Sequence, residues 1–166
     1  MIAAGTALLG FVTAQRLAEL AVARRNTRRL LAEGAREVGA AHYPVIVAVH
    51  ALWLAALWVA AWDAPVAPVW WAVFAALQAF RLWVMLSLGA RWTTRIIILD
   101  GAPLVARGPY RWMRHPNYVL VVAEISLIPL MLGQPWIALA FGIANAGALA
   151  MRIRAEERAL APLRGA

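Results

Sequence analysis

Five long apolar segments, separated by short polar ones, constrain this chain more than any other feature. Hydrophobic residues make up 64% of its 166 residues, whereas a soluble domain is about half apolar. About 20 helical residues cross the hydrocarbon core of a bilayer. The sequence therefore predicts a single-domain, all-α integral membrane protein with about five transmembrane helices, at residues 2–23, 43–62, 69–89, 118–132 and 136–151.

The basic residues are distributed unevenly along the chain. All sixteen are arginines, and the net charge is +8. They concentrate in the first loop, the third loop and the C-terminal tail, so the positive-inside rule places the N-terminus outside and the third loop and C-terminus in the cytoplasm. Because the arginines flank apolar segments, we expect them to meet anionic lipid headgroups, and nucleic acid is not the expected partner. Arginine without lysine, together with abundant alanine, favours a bacterial source, so we expect a protein of the bacterial plasma membrane. Cysteine is absent, which excludes disulfides and thiolate chemistry.

The third loop, residues 90–116, is the longest connection between predicted spans. It contains "RIIIL", then Asp100-Gly101, then "APLV". Asp-Gly between two short apolar runs is a strong signal for a β-hairpin. We therefore expect a cytoplasmic hairpin here, followed by the fourth and fifth helices and a C-terminal helix end. Residues 1–89 would hold three spans, and residues 90–166 the functional loop, the helical hairpin and the tail.

The stretch "GPYRWMRHPNY", residues 108–118, combines charged and aromatic residues beside the fourth span. Pro116 favours an extended backbone at His115 and opens the helix, whose exposed N–H groups attract an anionic group. A minimal turn at residues 133–135 brings the ends of spans four and five together, so His115 and Tyr118 should meet Glu156 and Glu157. Such a site suits a zwitterion. A headgroup anchor and a solvated helical tail are the structural alternatives.

Together, "GPYRWMRHPNY" and the later "RIRAEERAL" resemble the isoprenylcysteine carboxyl methyltransferase family of integral-membrane enzymes, over about the last 75 residues. The resemblance implies that S-adenosylmethionine is the methyl donor and that Arg152 borders the acceptor. It also implies a set of cofactor-binding residues, namely Gly108, Tyr110, His115, Pro116, Tyr118, Glu156 and Glu157.

The N-terminal half, with "VARRNTRRLLAEGAREVGAAHYP" and the later "RWTTRIIIL", is similar to a bacterial branch of that family. This branch is associated with O-methylation of long-chain alkylpyrones and alkylresorcinol-type polyketides. We therefore expect O-methylation of a long-chain phenolic or pyrone lipid drawn from the bilayer. Carboxyl methylation of an isoprenylcysteine is the alternative within the family. A small transport or partner-binding protein is the alternative of another class, and binding of S-adenosylmethionine would distinguish it.

Polar residues interrupt the predicted spans: Arg16 and Glu19 lie in the first and Gln78 and Arg81 in the third, and His50, Glu124 and Asn145 lie in the second, fourth and fifth. An ionisable group inside a membrane span is costly and is usually functional or paired. Glu124 is the candidate general base for a phenolic acceptor, with a structural pairing as the equal alternative. For His50 and Asn145, an interhelical hydrogen bond is the favoured interpretation.

Overall fold

Five helices dominate the structure, a computed structural model that describes residues 3–164. They are α1 (Ala4–Ala32), α2 (Tyr43–Ala61), α3 (Pro68–Leu88), α4 (Pro116–Met131) and α5 (Pro135–Arg164). Four of them are long and apolar enough to cross a membrane, whereas α4 has 16 residues and is shorter. The predicted all-α membrane fold is therefore confirmed. The predicted start of the first span at residue 2 lies outside the described residues.

Two helices extend beyond the predicted membrane spans, and for α5 this is the expected C-terminal helix end. The prediction ended the first span at Ala23, but α1 continues to Ala32 and carries Arg24, Arg25, Arg28 and Arg29 on its surface. The prediction ended the fifth span at Met151, but α5 continues to Arg164. Residues 24–32 are rich in arginine and leucine, and residues 152–164 in arginine, alanine, leucine and glutamate, all of which favour helix. At 1.5 Å per residue, the 29 residues of α1 span about 43 Å.

Prolines define the starts of the later helices. Pro68, Pro116 and Pro135 are the first residues of α3, α4 and α5. Proline suits this position because its fixed φ is helical and its missing N–H would have had no partner there. At the other end of α3, Gly89 has a φ of +55° and stops the helix.

The predicted hairpin around Asp100-Gly101 is wrong. The strand β2 (Ile96–Ile98) pairs antiparallel with β1 (Arg36–Val38), which follows α1, and not with residues 102–105. Ion pairs hold this pairing at both ends: Arg95 contacts Glu37 at 2.6 Å and Arg36 contacts Asp100 at 3.3 Å. The Asp-Gly dipeptide does form a turn, but the chain beyond it leaves the sheet.

The apolar core lies where α1, α2, α3 and α4 meet. It is built on Leu8, Leu9, Trp53, Leu57, Phe74, Ile125 and Ile128. Helix α5 packs along α4 and α2, so α4 is surrounded by protein on several sides. The core occupies one half of the bundle, near the connections α2–α3 and α4–α5. The start of α4 and the C-terminal part of α5 are polar. They lie at the opposite end of the bundle and form a site there.

Candidate active site

The loop before α4 is held against α3 by a close backbone approach. Residues Gly108–Arg111 form a short 3-10 turn, and Gly108 has a φ of +58°. A Cβ atom at this glycine would lie 2.0 Å from the Ser87 Oγ atom, so only glycine fits. Gly108 therefore packs against α3 and does not line the cavity that lies beside this loop, and its predicted contact with the cofactor stays a prediction.

The ends of α4 and α5 meet as predicted. The His115 Nε2 atom lies 2.8 Å from a Glu157 carboxylate oxygen, and its Nδ1 atom lies 3.4 Å from Glu156. The Tyr118 hydroxyl donates a hydrogen bond of 2.6 Å to Glu156. The His115 and Tyr118 rings are stacked, with centroids 5.1 Å apart. Four predicted residues thus form one connected cluster.

Arg152 joins this cluster from one turn earlier in α5. Its Nε atom donates to the Tyr118 hydroxyl at 2.8 Å, and a terminal nitrogen donates to the Thr94 carbonyl oxygen at 2.8 Å. Arg152 is buried, with 8% of its surface exposed. The Tyr118 hydroxyl links this guanidinium group to Glu156. Positive and negative groups therefore alternate where the start of α4 meets the C-terminal part of α5.

A cavity of about 380 Å³ opens beside the cluster. Polar groups line one side of it, including Tyr110, Arg114, His115, Asn117, Tyr118, Arg152 and Glu156. Other lining residues are apolar and come from β2 and the chain on both sides of it, namely Trp92, Ile96, Ile98, Pro103 and Leu104. This volume and this mixed lining are typical of small-molecule sites. Pro116 opens α4 next to the cavity and is buried.

The carboxylates shift the titration of their neighbours. Hydrogen bonding to Glu156, more than to Glu157, raises the pKa of His115 although burial opposes it. Burial, together with the charge of Glu156, raises the pKa of Tyr110 above its ordinary value. At neutral pH Tyr110 is therefore a hydroxyl donor, and His115 is biased towards the imidazolium that its two carboxylates stabilise.

Glu124 lies in a separate buried cluster. Its carboxylate pairs with Arg16 from α1 and with Arg81 from α3, and Arg81 also pairs with Glu19. Gln78 donates to Glu124 at 3.3 Å. Glu124 is 1% exposed and is absent from the cavity lining. Its role as a general base stays a prediction, and its two guanidinium partners favour a structural role.

His50 and Asn145, for which an interhelical hydrogen bond was expected, lie apart from both clusters. The His50 Nδ1 atom lies 2.8 Å from the Ile46 carbonyl oxygen of its own helix, so this hydrogen bond is not interhelical. Asn145 is 2% exposed within α5. Neither residue lines the cavity described above.

Sequence reasoning missed several residues of both clusters. The Thr94 carbonyl oxygen that receives Arg152 belongs to the backbone, which no residue type reveals. Asn117 lines the cavity. It lies within the motif of residues 108–118, and its place in the first turn of α4 is the signal that could have indicated it. For the charged cluster, Arg16, Glu19, Gln78 and Arg81 were all visible as polar residues within spans. Their meeting depends on how α1, α3 and α4 pack.

Comparison with known proteins agrees with this arrangement. The model of the isoprenylcysteine carboxyl methyltransferase (ICMT) family matches residues 70–162, which contain the whole cavity cluster. The chain is also 43% identical over 159 residues to the uncharacterized protein YpbQ of Bacillus subtilis (strain 168), covering 92% of this chain and 94% of that protein. No solved structure matches the chain. The family match and the helical membrane fold together show that the chain belongs to the ICMT family and is a membrane methyltransferase.

Proposed function

We propose that the protein transfers a methyl group from S-adenosylmethionine to the oxygen of a long-chain phenolic or pyrone lipid. The observation that carries the proposal is the cluster of His115, Tyr118, Arg152 and Glu156 beside a half-apolar cavity at the ends of two membrane helices. Members of the family generally use S-adenosylmethionine. A site at helix ends reaches both a charged cofactor from water and an apolar acceptor from the bilayer.

The residues around the cavity fit this cofactor. S-adenosylmethionine carries an α-carboxylate, an ammonium group, a sulfonium and an adenosine moiety. Arg152, Arg114 and the start of α4 would hold the carboxylate, because guanidinium groups and helix N-termini favour anions. Glu156, with Glu157 behind His115, would hold the positive groups, and the apolar side with Trp92 and Ile96 would hold the adenine.

When bound, the cofactor supplies an electrophilic methyl group. The residues of this chain hold the reactants in line, and such positioning can supply about 7–11 kcal/mol of the barrier. Tyr118 is oriented by its bonds to Arg152 and Glu156, so the cluster is ordered before the acceptor arrives. The short α4 leaves this mouth close to the interface, where an acceptor headgroup would lie while its chain stays in the bilayer.

The choice of acceptor is supported by the similarity of residues 22–44 and 91–99 to the bacterial branch described above. Carboxyl methylation of an isoprenylcysteine is the second candidate, because the family match itself names that acceptor. The two differ in acid–base demand. A carboxylate is already ionised at neutral pH, whereas a phenol, with a pKa of about 10, is not.

A methylation assay on the purified protein in detergent tests the proposal. The acceptors would be a long-chain alkyl phenol, a long-chain alkyl hydroxypyrone and a prenylcysteine, each with S-adenosylmethionine labelled in its methyl group. We expect label in the phenol or the hydroxypyrone, with a higher kcat/KM than for the prenylcysteine. Preferential labelling of the prenylcysteine would contradict the proposed acceptor and leave the methyltransferase assignment intact.

A further inference from the structure

The cavity beside α4 and α5 is lined by more positive than negative charge. One described carboxylate lines it, that of Glu156, against four guanidinium groups, those of Arg91, Arg95, Arg114 and Arg152. Two further carboxylates lie just outside the lining. Glu37 pairs with Arg95 at 2.6 Å, and Glu157 contacts the His115 ring at 2.8 Å. Among the described residues, this inventory leaves one positive charge when His115 is neutral and two when it is protonated.

Three of the four arginines form no ion pair with a described carboxylate. Arg152 is buried, and its bonds go to the Tyr118 hydroxyl and the Thr94 carbonyl oxygen, which are both uncharged. Arg91 donates to a backbone carbonyl oxygen. For Arg114, no hydrogen bond or ion pair is found within residues 3–164. Because a buried charge is costly unless it is paired, this cavity is suited to an anionic ligand.

The cofactor does not supply the missing negative charge. S-adenosylmethionine has one carboxylate but two cationic groups, the ammonium and the sulfonium, so its binding adds a positive charge to the cavity. Its carboxylate would face Arg114 and Arg152 in the proposed site, which leaves the charge of Arg91 uncompensated. The methyl acceptor is the other ligand of this cavity and is therefore the remaining source of negative charge.

The described groups that could accept a proton at the cavity are already engaged. Glu156 receives the hydrogen bond from the Tyr118 hydroxyl. The His115 ring faces Glu156 with one nitrogen and Glu157 with the other. Tyr110 keeps its hydroxyl proton at neutral pH because burial and Glu156 raise its pKa. The cavity thus offers groups that stabilise an anion, and its proton acceptors are held by other side chains.

We propose that the acceptor binds and reacts as an oxyanion, so that the substrate is an acidic hydroxypyrone lipid, as its enolate, and not a phenol. The inference rests on the proposed function and selects between its two acceptors. A phenol with a pKa of about 10 is only about 0.1% ionised at pH 7. An enolic hydroxypyrone is more acidic, so a larger fraction of it is in the form that the arginines attract.

The reaction balances without a base in the protein. The acceptor releases its proton to water before it binds. Its oxygen then forms a bond to the methyl carbon while the carbon–sulfur bond breaks, and the electron pair of that bond remains on sulfur. The negative charge on oxygen and the positive charge on sulfur disappear together. Arg91 contributes to binding of the anion, and no proton moves within the site.

The pH dependence of the wild-type enzyme tests the proposal first. With a long-chain alkyl phenol, kcat/KM should rise about tenfold per pH unit from pH 7 to 9, because the ionised fraction rises in that proportion. With the alkyl hydroxypyrone it should stay constant over the same range, and at pH 7 it should exceed the value for the phenol by about 10²–10³-fold. A kcat/KM for the phenol that does not change with pH would show that a group in the protein takes the proton, and would overturn the proposal.

Arg91→Gln tests the contribution of charge. We expect KM for the hydroxypyrone to rise about two- to fivefold, as for the loss of an exposed ion pair. The dissociation constant of S-adenosylmethionine should not rise, because the cofactor is a net cation. Arg91→Lys keeps the charge and should give a smaller rise in KM. Arg111→Gln makes the same charge change in the loop before α4, at a residue that does not line the cavity, and should retain the wild-type KM.

The remaining outcomes separate this inference from the proposed function. Equal KM values for Arg91→Gln and Arg111→Gln, or weaker cofactor binding by Arg91→Gln, would overturn the role of Arg91 in binding the anion. Faster methylation of the phenol than of the hydroxypyrone at pH 7 would overturn the proposal and leave the proposed function standing. If the wild-type protein binds S-adenosylmethionine but methylates neither lipid, the proposed acceptor fails, and this inference fails with it.

Discussion

At the scale of single residues, the cluster at the cavity could be predicted because its members sit in two local motifs joined by a short turn. His115, Tyr118, Glu156 and Glu157 meet as their positions at the ends of neighbouring helices require. The bond from Arg152 to the Thr94 carbonyl could not be predicted, since it depends on where the loop after α3 passes. The same limit applies to the bond from the His50 Nδ1 atom to the Ile46 carbonyl oxygen, since its acceptor also belongs to the backbone.

The stability of the protein should depend on pH through His115. Its pKa is raised in the folded state, chiefly by Glu156, so its contribution is fully present below its unfolded pKa of about 6.5 and is lost as pH rises through the folded-state value. We expect the difference in thermal midpoint between wild type and His115→Gln to shrink as pH rises from about 6 to 9. His42→Gln serves as the control. A difference that stays constant over this range would contradict the raised pKa.

At the scale of elements, the structure departs from prediction where partners are far apart in sequence. Residues 36–38 supply the strand that pairs with residues 96–98, and nothing near Asp100-Gly101 signals that partner. Likewise, Arg16, Glu19, Arg81 and Glu124 come from three helices, and their balanced charges become a unit only when those helices pack. The helical segments were predictable from local composition, whereas the pairings between distant segments follow from tertiary packing.

The charged cluster should hold α1 to α3 and α4. In Glu124→Gln, the buried Arg81 and the partly buried Arg16 would remain in the bundle with one carboxylate in place of two. Removing one partner of a buried pair costs about 3–5 kcal/mol, so we expect a clearly lower thermal midpoint in detergent. Glu33→Gln breaks the exposed Arg29–Glu33 pair of 2.9 Å and should leave the midpoint unchanged. Equal midpoints for the two variants would show that the cluster does not stabilise the bundle.

At the scale of the whole molecule, three groups of residues lie at successive levels along the helix axes. The apolar core lies near the α2–α3 connection, the charged cluster lies further along the bundle, and the cavity cluster lies at the ends of α4 and α5. The lengths of the apolar segments predicted the membrane fold. A chain that crosses lipid must hydrogen-bond its own backbone N–H and C=O groups, and an apolar segment of sufficient length does so as a helix. The order of the levels could not be read from the sequence, because it depends on which residues of different helices share a depth.

Orientation in the membrane is predicted by the arginines. The α2–α3 and α4–α5 connections carry no arginine, while the exposed Arg24, Arg25 and Arg28 lie at the far end of α1. We expect the N-terminus outside and the cavity cluster in the cytoplasm. Fusion of a reporter that is active outside the cell at Ala64, and of one that is active in the cytoplasm at Gly101, should both give signal. A cytoplasmic signal at Ala64 would contradict this orientation.

Calorimetric binding of S-adenosylmethionine to the purified protein tests the central claim most directly. The wild-type protein should bind, and His115→Ala and Glu156→Ala should each weaken binding about ten- to a hundredfold, because a hydrogen bond to a charged group contributes about 1.5–3 kcal/mol. His42→Ala, outside the cavity cluster, should bind like wild type. If His115→Ala and Glu156→Ala also bind with wild-type affinity, the cofactor site does not lie at the ends of α4 and α5.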